Sequence, residues 1–224
     1  MFSVVIVCAG KSTRMKGINK QFLELDGLPV IIRTVMTFDN VDNVCEIIVV
    51  SSDNMLESTK NLFSKYKFNK NIIFTTGGNT RQESVFNGIS LVCDESDYIA
   101  IHDGARPLIS KNTIDCAFLN AKKYNATTVG VPVKDTIKIL SNGFIESTPS
   151  RENLFITQTP QVFGKKLYIN AMQKAIAENK DYTDDCQLIE SFGEKIFMTI
   201  GEYTNIKITT PEDVNLASSF LEGM

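Results

Sequence analysis

The sequence has one histidine, His102, and no C-x-x-C pair among its five cysteines. A structural zinc site needs a set of closely organised nitrogen and sulfur ligands, so none is expected. Cys8, Cys45, Cys93, Cys116 and Cys186 are scattered, four of them in apolar strand or helix patterns, and they read as buried thiols of a reduced cytosol. No apolar run approaches the ~18 residues of a membrane span. The opening run is also too short for a signal peptide. Charge of one sign is missing as well: 23 basic and 26 acidic residues, well mixed, give a net charge of -3. No basic face calls for nucleic acid or an anionic membrane. A soluble, cytoplasmic protein is expected, with no nucleic-acid or membrane partner and with any functional cations acting locally.

What is present begins with an apolar run at residues 4–8, which stops at Ala9-Gly10 and gives way to Lys11, Arg14, Lys16 and Lys20. A buried strand ending in small residues and followed by clustered cations is suited to an anion, and phosphate is the obvious one. Two phosphate motifs fail on spacing. Gly10-Lys11-Ser12 looks like the tail of a P-loop, but Val5 occupies the position of its first glycine. A dinucleotide fingerprint fails because the next glycine after Gly10 is Gly17. The remaining pattern, a strand, A-G-x-x-x-R-M and Lys20-Gln21-Phe22, resembles the start of nucleotidyltransferases that attach a nucleotide to a sugar or polyol phosphate. Taken alone, the charged loop has a solvated face as its competing, less favoured reading.

With 43% hydrophobic residues, the chain can bury a full core as one domain over 1–224. Pro29 is expected at the first position of a helix over 30–36. Strands are expected at 46–50, 71–75, 98–101, 127–132, 195–200 and 205–209. Helices at 52–66, 110–124, 165–178 and 183–192 alternate with them, as does one opened by Thr210-Pro211-Glu212-Asp213. Thr159-Pro160-Gln161 is expected to break the chain ahead of the helix at 165. This alternation predicts an α/β fold: a Rossmann-like three-layer sandwich with a mostly parallel central sheet and a protruding β-hairpin arm for dimerisation, inserted at about 133–152. A lone hairpin is marginal in water and needs a covering surface, for which a second subunit is the economical answer.

Several residues invite chemistry. Gly77-Gly78 precede a helix and let backbone approach a planar group, although an ordinary strand-to-helix turn would look the same. Asp103 ends a buried strand, where an acid can bind ribose hydroxyls or a phosphate-bound cation. His102 reads as a packed, hydrogen-bonded neighbour rather than a catalyst. Lys207 is either an edge-strand protector or a phosphate ligand.

Together the blocks resemble the 2-C-methyl-D-erythritol 4-phosphate cytidylyltransferase family over nearly the whole chain. They are Ala9-Gly10 with Arg14-Met15 and Lys20-Gln21-Phe22, Gly77-Gly78 with Arg81 and Ser84, and His102-Asp103 with Ala105-Arg106-Pro107. The series continues with residues 132–136, Arg151, Thr159-Pro160-Gln161, Thr183-Asp184, and Asn205-Ile206-Lys207 with Pro211-Glu212-Asp213. The resemblance implies transfer of CMP from CTP to methylerythritol phosphate, with Mg²⁺ held mainly by the triphosphate and a homodimer formed through the arm. Ala9 and Gly10 would cradle the triphosphate, and Arg14 and Lys20 would stabilise charge as pyrophosphate departs. Gly78 and Ser84 would read cytosine, and Asp103 the ribose. Arg106, Thr136, Arg151, Thr159, Thr183 and Lys207 would hold the polyol phosphate, with Arg151 and Lys207 aiming its phosphate. Thr136 and Arg151 would reach the neighbouring subunit's site. The chain departs from the family pattern at Ser12, Asn19 and Asn79, where glycine, proline and aspartate are frequent. Ribitol 5-phosphate cytidylyltransferase, with much the same substrate face, and a catalytically silent nucleotide-binding subunit are the rival readings.

Overall fold

The computed structural model describes residues 1–10 and 20–223. In chain order the strands are β1 (Phe2–Val7), the short pair β2 (Glu24–Leu25) and β3 (Leu28–Pro29), β4 (Val44–Ser51), β5 (Asn71–Thr76), β6 (Tyr98–Asp103), β7 (Ala126–Pro132), β8 (Ile139–Ser141), β9 (Phe144–Ser147), β10 (Phe155–Gly164) and β11 (Phe197–Ile200). The helices are α1 (Val30–Asp39), α2 (Leu56–Phe63), α3 (Arg81–Ile89), α4 (Lys111–Tyr124), α5 (Lys165–Ala177), α6 (Asp185–Ser191) and α7 (Pro211–Glu222). Seven strands form one sheet in the order β11-β7-β10-β6-β1-β4-β5. All run parallel except β10, which is antiparallel to both β6 and β7.

The apolar runs of β1 and β4 are continuous because helices cover both faces of the sheet, and the two-residue strand period sorts their side chains. Val4, Ile6, Ile47 and Val49 enter the layer of α1 and α4. Val5, Ile48 and Val50 enter the layer of α3, α5 and α6. A smaller cluster of Leu25, Val30, Leu108, Ile208 and Ala217 seats α7 beside the sheet. Thr210 and Asp213 close a reciprocal capping box at the start of α7, as its sequence pattern predicts. Among the described residues, no helix is long and apolar enough to cross a membrane.

Four local expectations need correction. Residues 159–161 do not break the chain. They run inside β10, and the register on β7 shifts between Thr157 and Gln161, which accommodates a proline that cannot donate to the ladder. Residues 205–209 form no ladder strand; Ile208 donates its N–H to Ala105 O at 2.8 Å while its side chain packs into the α7 cluster. Pro29 caps α1 from an extended conformation instead of entering it. The cysteines are less uniform than their apolar context suggests: Cys186 is buried, Cys8, Cys45 and Cys93 are half-buried, and Cys116 is exposed.

The hairpin at 139–147 is present and projects from the body. Asn142 and Gly143 turn it with φ of 50° and 85°, the left-handed pair that a two-residue hairpin loop requires. Among the described residues it pairs with no other strand, and Phe144 and Ile145 are 80% and 63% exposed.

Phe2 anchors the layer beneath α4, where its ring stacks on Phe118 at 3.9 Å and on Tyr98 at 5.0 Å, with no solvent exposure. Phe2→Ala should lower unfolding free energy by about 3–5 kcal/mol, the range for truncating a buried aromatic ring. Urea denaturation of the two proteins measures the difference.

Candidate active site

A cavity of about 410 Å³ opens at the carboxyl ends of β1, β5 and β6. It is lined by Val7 to Gly10 following β1, Gln21, residues 78–81 and Ser84 at the start of α3, Asp103, Ala105 and Lys207. Ligands of open α/β sheets bind outside this edge. The backbone of Lys20 opens a 3₁₀ turn over Lys20–Phe22, next to the lining residue Gln21. Arg14 lies outside the described residues.

The loop after β5 is tight. Gly77 N–H donates to Ser51 O at 2.7 Å, and Gly78 N–H donates to Ser84 Oγ at 3.0 Å. Ser84 Oγ in turn donates to Thr80 O at 2.9 Å. Thr80 caps α3 by accepting from Glu83 N at 3.1 Å, while Glu83 Oε2 accepts from Asn79 N at 2.6 Å. A Cβ at Gly77 would lie 2.5 Å from Ala9 Cβ and 2.6 Å from Ser84 Oγ, so the β1 and β5 loops approach this closely only with glycine between them. The Ser84 hydroxyl keeps one acceptor lone pair for a ligand.

Asp103, 8% exposed, is the one acid among the described lining residues. Its Oδ2 accepts from Lys207 Nζ at 2.9 Å and Arg106 Nε at 3.3 Å. Burial acts to raise the carboxyl's pKa, but Lys207, Arg106 and Arg81 outweigh it and hold the group far below the usual carboxylate range. Asp103 is therefore held ionised near neutral pH. Lys207 is half-exposed and faces the cavity, so of its two open readings the edge-strand one falls away.

Arg106 is mostly committed inward, with Nη1 donating to Asn205 O at 2.8 Å in addition to the Asp103 contact. Asn205, fully buried, donates Nδ2 to Thr159 O at 3.0 Å and to Gln158 Oε1 at 3.2 Å. These bonds fasten the segment after β11 onto β10 and deliver Lys207 to the cavity.

Behind Asp103 the hydrogen bonds run in one direction. Asp103 N–H donates to Thr159 Oγ1 at 3.0 Å, and that hydroxyl donates to His102 Nδ1, also at 3.0 Å. His102 Nε2–H donates to Arg106 O at 3.3 Å. A carbonyl can only accept, which fixes the proton of the neutral ring on Nε2. His102 is fully buried, its ring meets Phe38 edge-on, and burial pushes its pKa down to about 4. It is the packed neighbour that its context predicts. The Thr159 hydroxyl gives its proton to the same chain and does not line the cavity.

The remaining expected residues fall into two places. Thr183 is exposed just before α6, on a segment joined to the start of α3 by Tyr182 N donating to Gln82 Oε1 at 3.2 Å. Thr136 and Arg151 sit at the base of the arm and do not line the cavity; Arg151 Nη1 donates to Lys134 O at 2.7 Å.

Sequence reading missed a buried support. Asp185 accepts from Arg81 Nη2 at 2.6 Å and from the Tyr168 hydroxyl at 2.6 Å, and its N–H donates to Gln161 Oε1 at 3.0 Å. Burial opposes charge on Arg81, but Asp185 more than compensates and keeps the guanidinium protonated where it lines the cavity. Arg81 stands in the block quoted with Gly77-Gly78, three positions past the second glycine, but nothing in that block points to its partner Asp185. Tyr168, on the core side of α5, gives no sequence signal.

A metal at the cavity would find Asp103 as its one described acidic neighbour, and that carboxylate already neutralises two cations. Such a set suits a cation carried mostly by ligand phosphates rather than a protein cage.

The cavity and its supports sit within matches that span the chain. Residues 2–223 fit the profile of the 2-C-methyl-D-erythritol 4-phosphate cytidylyltransferase family. The chain belongs to this family. A cytidylyltransferase of that name from Caldanaerobacter subterraneus subsp. tengcongensis is 47% identical over 222 residues, covering 98% of each chain. One from Clostridium novyi is 44% identical, covering 98% of this chain and 96% of the other. The crystal structure of 4-diphosphocytidyl-2C-methyl-D-erythritol synthase from Anaerococcus prevotii superposes with a TM-score of 0.89 at 33% identity, covering 99% of this chain and 96% of that one. The chain is thus a cytidylyltransferase, and the α/β architecture with its mostly parallel sheet is that of the family.

The buried histidine makes stability pH-dependent. As pH falls below about 6.5 the unfolded chain protonates His102 and the folded chain does not until about 4, so stability declines across that window. The total loss should be about 3 kcal/mol. In His102→Gln, urea midpoints measured between pH 7.5 and 4.5 should show a flatter decline.

Proposed function

We propose that the protein transfers CMP from CTP to 2-C-methyl-D-erythritol 4-phosphate, giving 4-diphosphocytidyl-2-C-methyl-D-erythritol and pyrophosphate in isoprenoid precursor synthesis. The observation that carries this reading is the convergence of Ala9-Gly10, the Gly78 loop, Asp103 and Lys207 on one cavity, in a chain matched end to end by the cytidylyltransferase family. A phosphate oxygen of the polyol phosphate attacks the α-phosphorus of CTP in line. The bond from that phosphorus to the bridging oxygen breaks, and pyrophosphate leaves with the electron pair. No general base is needed, because the attacking oxygen is already anionic near neutral pH. The obstacle is mutual repulsion of two polyanions, which fixed positive groups overcome.

The chain's residues divide the work. Backbone at Ala9 and Gly10 cradles the triphosphate, and Arg14 and Lys20 stabilise charge on the departing pyrophosphate. Gly78, the free lone pair of Ser84 and the Asn79 amide recognise cytosine. With Oδ2 of Asp103 shared by two cations, Oδ1 is the acceptor left for a ribose hydroxyl. Lys207 and the partner-facing Arg151 aim the polyol phosphate, with Thr136 and Thr183 at its hydroxyls. Arg106 and Thr159 act one step back, by holding Asp103 and the segment that bears Lys207. A bound Mg²⁺ would supply charge neutralisation on the phosphates, and Asp103 is the one described acid of the lining that could meet it. The exposed apolar arm supports a homodimer in which each hairpin covers, and completes, the neighbouring site. The protein works in the cytoplasm.

Pyrophosphate release with CTP, UTP and ATP against methylerythritol phosphate and ribitol 5-phosphate tests the reading. The expected outcome is turnover with CTP and methylerythritol phosphate at least tenfold above every other pairing. Faster turnover with ribitol 5-phosphate moves the assignment to that acceptor, and no release with any pair marks a silent nucleotide-binding subunit.

The cationic roles have their own check. Lys20→Ala and Lys207→Ala should each lower kcat at least ~100-fold, the loss typical of one preorganised electrostatic group. Near-normal turnover in either variant would remove that lysine from the mechanism.

A further inference from the structure

At the end of the sheet opposite the cavity, β1 and β4 begin side by side, with Ser3 in register with Glu46. The buried Glu46 carboxylate accepts from the Ser3 hydroxyl at 2.6 Å and from Cys93 N–H at 2.7 Å. On the other side of the same residue, Lys165 Nζ donates to Cys93 O at 2.7 Å. The connection between α3 and β6 is therefore clamped at Cys93 from both directions. Cys45 is fixed by its place in β4, with its thiol donating to Phe2 O at 3.3 Å. These anchors hold Cys45 Sγ and Cys93 Sγ 3.6 Å apart, both free and half-buried. Neither thiol has a part in the nucleotide chemistry.

We propose that Cys45 and Cys93 form a redox-closable pair, converted to an intramolecular disulfide by a low-molecular-weight disulfide such as oxidised glutathione. One protein thiol loses its proton and attacks a sulfur of the oxidant, breaking that S–S bond and releasing one small thiol. The second protein thiol loses its proton and attacks the protein sulfur of the mixed disulfide, releasing the second small thiol. The two cysteines give up two electrons in total, the oxidant accepts them, and the two protons end on its products. Bond formation needs the sulfurs to approach by about 1.6 Å, to the ~2.05 Å of a disulfide. In a compartment where thiols are kept reduced the pair stays open, and it closes as oxidant rises.

The bond would close a 48-residue span that contains α2, β5 and α3. Restricting that span in the unfolded chain stabilises the fold, and neither cysteine is among the residues that line the cavity. Cys8, Cys116 and Cys186 sit on other elements, and the exposed Cys116 serves as an internal measure of simple capping.

The test uses the full-length protein, fully reduced, then incubated with oxidised glutathione at pH 8 and alkylated before non-reducing peptide mapping. A Cys45–Cys93 linked peptide within the single chain is expected, together with a Tm higher than the reduced protein's by roughly 5–10 °C. The rise should be absent from Cys45→Ser and from Cys93→Ser, each compared with its own reduced form. Free thiols at both positions overturn the proposal, as does a separate glutathione adduct on each. A fall in Tm on cross-linking also overturns it, because the bond would then not fit the native fold.

Discussion

A carboxylate placed under a sheet edge with little water around it must be neutralised, and the architecture of this protein depends on how Asp103 is. Its two direct partners come from different parts of the chain: Arg106 from the turn just after β6, and Lys207 from a segment about a hundred residues later. A lone buried charge would cost several kcal/mol. Here two cations meet the carboxylate at Oδ2, so the cluster fixes where the C-terminal segment lies and where the lysine points. The same arrangement keeps a cation at the cavity wall without leaving it free to swing.

Supports for that cluster reach deep into the fold. β10, the single reversed strand, carries Gln158, Thr159 and Gln161, which respectively hold Asn205, the His102 chain and Asp185. One strand thus serves the Asp103 side and the Arg81 side of the cavity together. Inserting an antiparallel strand between β6 and β7 places backbone and short polar side chains directly behind the carboxyl ends of parallel strands, where ligand contacts are made. The glycines after β5 complete the enclosure by letting two loops touch.

Much of this was legible in the sequence. Continuous apolar runs in β1 and β4 announced a sheet covered on both faces, and the order of strand and helix gave its mostly parallel character. The Asn-Gly turn announced the hairpin. The positions of Ala9, Gly10, Gly78, Ser84 and Asp103 follow from one rule, that loops at the carboxyl edge meet. What was not legible depends on contacts between distant residues. A proline suggested a break where a register shift absorbs it within β10, and an apolar alternation around Lys207 suggested a strand where side-chain packing against α7 decides. Tyr168 and Asp185 bond across 17 positions of chain, between two helices. Thr159 looked like a ligand group and is instead a relay of hydrogen bonds, because its hydroxyl is claimed by a buried ring that no local pattern could reveal. Cys45 and Cys93 are 48 positions apart and meet at the foot of two strands.

The late arrival of Lys207 bears on how the protein is made. Ribosomal synthesis releases a chain from its N-terminus, so β1, β4, β5 and β6 can begin to pair while residues beyond 200 are still in the exit tunnel. Until residues beyond 200 emerge, Asp103 lacks its lysine and β7 lacks its outer neighbour β11. A nascent chain therefore cannot hold the finished cavity wall from its N-terminal strands alone, and the Asp103–Lys207 contact is among the later ones to form.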